Sequence, residues 1–134
     1  MALEYASVER FHKKFKSLDG VIYGEGGNIK PEFRGKNIGA RAMLNFGKWL
    51  VHNYKMKCFY INLTGAYMLR GMLKAGFHLE HSMYYDEFEY EGEKPFLEVE
   101  KNKIYNEPDR PASYLLAIYD KDIMKLLEKE KPNV

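Results

Sequence analysis

The run Asn28-Ile29-Lys30-Pro31-Glu32-Phe33-Arg34-Gly35-Lys36-Asn37-Ile38-Gly39-Ala40 changes its period within a few residues, and that change restricts the folds open to the chain. Before it, Val21-Ile22-Tyr23 begins a strand that enters Gly24, Gly26 and Gly27, residues suited to a bulge or to close backbone approach by a ligand. Asn28 to Lys30 resumes extended structure, and Pro31 ends it because proline has no amide hydrogen for a ladder. After Asn37 the period becomes helical. Ala42, Met43, Phe46, Trp49, Leu50 and Tyr54 form one face, and Arg41, Asn45, Lys48 and His52 the other. Gly47 inside that helix costs about 1 kcal/mol relative to alanine, which predicts a close neighbour there. Lys57 to Leu63 then reads as a buried strand. A strand, loop, helix and strand in this order predict an α/β sheet with a right-handed crossover.

The rest of the chain extends that pattern. Val8, Phe11, Phe15 and Leu18 recur at helical spacing, so a helix is expected from Leu3 to Leu18, ended by Asp19-Gly20. A second helix is expected from Thr64, its cap, to Ala75, with Gly76 as its stop. Phe77, Leu79, His81, Met83 and Tyr85 alternate with His78, Glu80, Ser82, Tyr84 and Asp86, the signature of a strand. His78 and His81 are thereby expected on opposite faces, unable to share a metal. Residues 87–111 are rich in charge, proline and turn formers, and read as an excursion beside the core with a tip at Glu91-Gly92. Ala112 to Tyr119 returns as a strand, and Asp120 opens a final helix with Ile123, Leu126 and Leu127.

With 134 residues the chain is long enough for one domain with a modest core. Its 21 basic and 19 acidic side chains are interspersed, and the net charge of +2 argues against nucleic acid or a membrane surface as partner. The one cysteine, Cys58, excludes an intrachain disulfide and a multi-cysteine zinc site. No bilayer-spanning run and no leader pattern are visible, so a soluble cytoplasmic or nuclear protein is expected, with the cytoplasm as the first choice.

A loop feeding a helix N-terminus collects unpaired amides and the positive end of a helix dipole, the chemistry that binds phosphate. Arg34 and Lys36 add charge beside it. Asn37 stands where such a loop most wants glycine, yet asparagine tolerates left-handed backbone and is also a good helix cap.

The stretch from Asn28 to Ala40 resembles the acetyl-coenzyme A signature of the GCN5-related N-acetyltransferases (GNAT), and Arg70 to Phe77 resembles their second helix ending in Gly-Phe. Tyr84-Tyr85-Asp86-Glu87-Phe88 is similar to a segment of the insect-type arylalkylamine N-acetyltransferases. The resemblance covers Asp19 to Phe96 best. It implies a GNAT-like mixed sheet flanked by helices, in a single domain over 1–134 that is incomplete at its N-terminus. It also implies an acyl-coenzyme A dependent N-acyltransferase that passes acetyl from acetyl-CoA to a small amine acceptor, without metal. Amides from Gly35, Lys36, Asn37, Ile38, Gly39 and Ala40 would hold the pyrophosphate, with Arg34 and Lys36 near it. The backbone of Asn28, Ile29 and Lys30 would pair with the pantetheine arm, and an amide near Ile29 would polarise the acyl carbonyl. Met72 replaces the tyrosine that serves many members as acid. Of two hydroxyls that the insect-type branch carries, Thr64 matches the first, as catalytic candidate, and Met68 replaces the second. The family's acidic base lies ahead of the point where this chain starts. An exposed first strand would then accept a second copy or a partner chain to complete the sheet. The other reading is a catalytically inactive module that keeps the coenzyme cradle or only the sheet edge.

Overall fold

The computed structural model describes residues 8–25, 29–63, 68–94 and 112–130. Its centre is a four-stranded sheet of β1 (Val21–Gly24), β2 (Cys58–Leu63), β3 (His78–Tyr84) and β4 (Ala112–Tyr119), in the order β1-β2-β4-β3. β1 and β2 run parallel, from Val21 opposite Cys58 to Gly24 opposite Ile61, whereas β4 is antiparallel to both β2 and β3. Around it lie α1 (residues 8–12), α2 (Ile38–Asn53), α3 (Leu69–Ala75) and α4 (Asp120–Glu130). The parallel pair needs a crossover, and α2 supplies it.

Two apolar layers sandwich the sheet. On one side Phe59, Ile61, Leu63, Leu116 and Ile118 meet Ala40 and Leu50 of α2, Met72 of α3 and Ile123 of α4. On the other, Cys58, Tyr60, Leu115 and Ala117 meet Phe11 of α1, with Val8 and Phe15 beside it. The alternation of side chains along β2 and β4 sends neighbouring residues into opposite layers.

α2 buries a different face from the one its large residues suggest. Ala40, Gly47 and Leu50 are buried, with Met43, Leu44 and Val51 packed beside them. Phe46, Trp49 and Tyr54 are instead 42%, 48% and 59% exposed. The reason is Gly47: a Cβ there would stand 3.1 Å from Ile123 Cδ1, a tight contact, and 3.8 Å from Phe59 Cδ1, an ordinary one, so the glycine eases the close approach of the helix to β2 and α4. Phe46 and Trp49 stack on one another, with ring centroids 5.9 Å apart, along the outer edge of that contact.

The first helix ends earlier than its apolar spacing predicts. It ends at His12, and Leu18 is 49% exposed. Lys57 Nζ donates to the Ser17 carbonyl at 2.9 Å and lies 5.4 Å from the Phe15 ring, which folds the segment back over the sheet. The expected hairpin tip is present: Glu91 and Gly92 have φ of 53° and 81°, and Tyr90 and Glu93 exchange two backbone hydrogen bonds. Two successive left-handed residues are what a tight hairpin turn requires. The remainder of the excursion, residues 95–111, falls outside the described residues.

β3 departs from strict alternation. A bulge between Leu79 and His81 sets His78 opposite Ala117 and His81 opposite Leu115, two residues on one face of β4. The two histidines therefore share a face, contrary to the expectation from their spacing. They have different surroundings: His78 Nε2 bonds to Asp122 Oδ2 at 2.9 Å, while His81 Nε2 is buried without a partner.

Candidate functional site

The candidate site forms where the parallel strands end. The last pair between β1 and β2 is Gly24 with Ile61, yet β2 continues through Asn62 to Leu63, which pair only with β4. β2 thus extends two residues past the end of β1, and on that side of Asn62 and Leu63 no strand is described. Ligands of α/β sheets bind at this carboxyl end.

From Ile29 the chain runs into a turn of 3-10 helix, Pro31–Phe33, and then into the loop before α2. Pro31 stands at its first position, where a missing amide hydrogen costs nothing. Arg34 Nε donates to the Ile29 carbonyl at 2.8 Å, so its side chain ties the two ends of this turn together as well as bringing positive charge. Gly35 and Asn37 are both left-handed, with φ of 81° and 59°. A Cβ on Gly35 would meet nothing within 4 Å, so its side of the loop is open.

α2 then starts without a side-chain cap. Asn37 precedes it with φ 59° and ψ 25°, and the first backbone bond of the helix runs from Arg41 N to Asn37 O at 3.2 Å. The amides of Ile38, Gly39 and Ala40 belong to the unpaired first turn. Asn37 was expected both to enter left-handed space and to cap the helix, and only the first holds. Its carboxamide turns to α3, where a Cβ on Gly71 would fall on Asn37 Oδ1. Gly39 faces α3 as well: its missing Cβ leaves room for Met68.

Arg34, Gly35, Lys36, Asn37, Ile38, Gly39 and Ala40 are thus brought together at the end of the parallel pair, with Ile29 and Lys30 leading into them. Lys36 is exposed on this loop. Asn28 and Thr64 lie outside the described residues, and α3 is described from Leu69 onward. Gly76 ends α3 in left-handed backbone with φ 112°, as expected for the Gly-Phe step.

The opposite face of the sheet carries polar groups that sequence reasoning left as surface. Glu80 accepts from Lys14 Nζ at 2.7 Å and from the Tyr119 hydroxyl at 2.6 Å. Burial raises the Glu80 carboxyl, but those two hydrogen bonds and the charge of Lys14 outweigh it and hold it below the ordinary value. Tyr119 is raised by burial and then by the Glu80 carboxylate. Nearer the site, the Ser113 hydroxyl donates to Asn62 Oδ1 at 2.9 Å, while Asn62 Nδ2 is buried with no partner. Asn62 and His81 both stand opposite Leu115 in the register, so the two unpartnered groups share one row across β2, β4 and β3. The bulge conceals this alignment from the sequence. Among the described residues no group of three or more histidine, cysteine or acidic side chains is placed to hold a metal, and no helix is long and apolar enough to cross a membrane.

No protein-family model matches this sequence, and no curated protein does. Solved structures do match. A putative arylalkylamine N-acetyltransferase 7 of the mosquito Aedes aegypti superposes with a TM-score of 0.61 at 15% identity, over 88% of this chain and 46% of its own. Arylalkylamine N-acetyltransferase 2 of Aedes aegypti gives 0.57 at 15% identity, over 87% and 52%. The polyamine N-acetyltransferase of Drosophila melanogaster, which forms N-acetylagmatine, gives 0.58 at 14% identity, over 84% and 52%. The chain spans about half the length of these structures. Its mixed sheet with the crossover helix has the fold of these acetyltransferases, the GNAT fold.

Proposed function

We propose that this chain is the coenzyme-binding part of an acyl-coenzyme A dependent N-acyltransferase that acts in the cytoplasm. It passes acetyl from acetyl-CoA to a small amine, with an arylalkylamine as the substrate class. The observation that carries this reading is the N-terminus of α2, without a side-chain cap and approached by left-handed Gly35 and Asn37. Such a terminus presents unpaired amides and the positive end of the helix dipole to one anion. The likeness in fold to arylalkylamine and polyamine N-acetyltransferases supports the reaction class.

In this reading the amides of Gly35 to Ala40 hold the pyrophosphate, and Lys36 offsets its charge. Arg34, with its Nε on the Ile29 carbonyl, holds the Ile29 segment against the cradle. That segment runs beside the pantetheine arm, and the Ile29 amide polarises the thioester carbonyl. The acceptor nitrogen attacks this carbonyl carbon while both substrates are bound. The C–S bond breaks, the thiolate departs, and the proton lost by the amine ends on sulfur. Thr64 is the hydroxyl we assign to that centre.

A second reading follows from the sheet edge. β1 pairs with β2 alone among the described strands, and Phe46 and Trp49 of α2, with Tyr54 just after it, are exposed. An open edge beside an aromatic strip suits a second copy or a partner chain that adds a strand. In that case the module binds coenzyme or partner without catalysing transfer.

Titration calorimetry with acetyl-CoA tests the cradle. Binding heat that is lost in the Arg34→Ala, Lys36→Ala double variant is expected, and no heat with the unaltered chain sinks the coenzyme reading. Thiol release in the presence of an amine panel then separates the two readings, because an inactive module binds without releasing thiol above background.

A further inference from the structure

β1 presents two different faces at the edge of the described sheet. On the α2 side it bears one side chain, Ile22, between two glycines. A Cβ on Gly24 would stand 2.8 Å from the Phe59 ring, and one on Gly20 would stand 2.6 Å from the Lys55 carbonyl oxygen. On the other side it bears Val21, packed in the layer of Phe11, and Tyr23, stacked on Tyr60 with ring centroids 5.0 Å apart. Beside Ile22 opens a groove of about 470 Å³, walled by Gly20, Trp49, Leu50, Tyr54 and Met56. Trp49 and Tyr54 meet edge to face at 5.3 Å and stay about half-exposed.

Opposite charges mark the two ends of this strand. Lys55 borders the groove at the Gly20 end, and Glu25 follows Gly24 at the other. Both are exposed, and neither forms an ion pair among the described residues. Two copies of one strand that pair antiparallel about a twofold axis set residues of the same face opposite each other. With Ile22 on the axis, Ile22 meets its own copy beside the two grooves, Val21 meets Tyr23, and Gly20 meets Gly24. Val21 with Tyr23 is a β-branched and aromatic pair, a kind that stabilises neighbouring strands. Gly24 opposite Gly20 brings Glu25 of one copy to the Lys55 turn of the other, twice by symmetry. Placing Tyr23 on the axis would instead set Glu25 opposite apolar Val21.

We propose that the β1 edge is a docking surface for a second copy of this chain, paired antiparallel about Ile22 and sealed by Phe46, Trp49 and Tyr54 of both copies. Such a pairing joins the two four-stranded sheets into one continuous sheet. This partner assignment rests on the sheet-edge reading given above and needs no bound coenzyme.

Sedimentation velocity at rising concentration is expected to show the unaltered chain passing from monomer to dimer. Trp49→Glu sets a charge in the exposed strip and is expected to weaken the dimer by about tenfold or more. Glu25→Lys and Lys55→Glu each bring like charges together and weaken it, whereas both changes in one chain restore it. If Trp49→Glu loses its far-UV dichroism, Tyr54→Lys takes its place. A dimer indifferent to the strip variant, or a charge exchange that restores nothing, overturns the assignment. Hydrogen exchange at the outward amides of β1, read on the monomer, separates this failure from that of the reading beneath it. Fast exchange in a chain that stays monomeric sinks the second copy alone. Slow exchange in the monomer shows a covered edge and sinks the sheet-edge reading itself.

Discussion

The contact between Asn37 and Gly71 makes a prediction that needs no ligand. A methyl added at Gly71 would fall on Asn37 Oδ1 and lie 3.3 Å from both Asn37 Cγ and Ala40 Cβ. Taken alone, glycine to alanine inside a helix gains about 1 kcal/mol. Overpacking of this kind costs about 1–3 kcal/mol, here because the Asn37 carboxamide must leave the space it fills beside α3. Gly71→Ala is therefore expected to destabilise the chain by about 1 kcal/mol despite its better helix propensity. In an Asn37→Gly background the clashing atoms are gone and only Ala40 remains close. There the same change is expected to be neutral or stabilising, giving a coupling energy of about 1–3 kcal/mol across the double-mutant cycle. Urea titration followed by far-UV dichroism measures the four stabilities. Equal effects of Gly71→Ala in both backgrounds, within about 0.3 kcal/mol, would refute the packing argument.

Two further predictions concern pH. Burial, then the charges of Glu80, Asp120 and Asp122, push the Cys58 thiol from 9.0 up to about 12, and burial, then Tyr23 and Cys58, push the Tyr60 hydroxyl from 10.0 up to about 12. The unfolded chain releases these protons first, so stability should fall between pH ~9 and ~12, by about 1.4 kcal/mol per pH unit for each group ionised only when unfolded. Urea midpoints that stay flat across that window would contradict the burial of both groups. His81 is held below its ordinary value by burial, then by Arg10 and Lys14. Its stability contribution is lost as pH falls below about 6.5, where the unfolded chain takes up the proton first. His81→Leu should remove that acid sensitivity and, since Nε2 has no partner, raise stability at neutral pH by about 1 kcal/mol. A lower melting temperature for this variant at pH 7 would show that the ring is satisfied in solution.

Backbone behaviour was legible in the sequence wherever one residue controls it. Pro31, the left-handed Asn37, the Gly76 stop and the Glu91-Gly92 tip are local steric facts, and the structure has each of them. Side-chain partners were not legible to the same degree, because they belong to elements far along the chain. Large apolar residues marked α2 as a helix but misplaced its buried face by following Phe46, Trp49 and Tyr54. Gly47 carried the correct signal, since a glycine costing helix stability has to admit something, and that neighbour is Ile123. In β3 a strict alternation hid the bulge that puts His78 and His81 on one face. A bulge is set by pairing with β4, which a single strand's pattern does not contain.

Asn37 shows how these two levels combine at the site. Its backbone preference and its capping ability are both local, and locally they agree. A capping carboxamide, however, would bond to the amides of α2's first turn and occupy the positions an anion needs. Gly71 resolves the conflict by leaving space on α3 into which the carboxamide turns. Asparagine can then supply the left-handed step without closing the cradle, as glycine would. The opening at the start of α2 thus depends on a residue in the next helix, and a larger side chain at position 71 is expected to push the carboxamide back over the amides and weaken coenzyme binding along with stability.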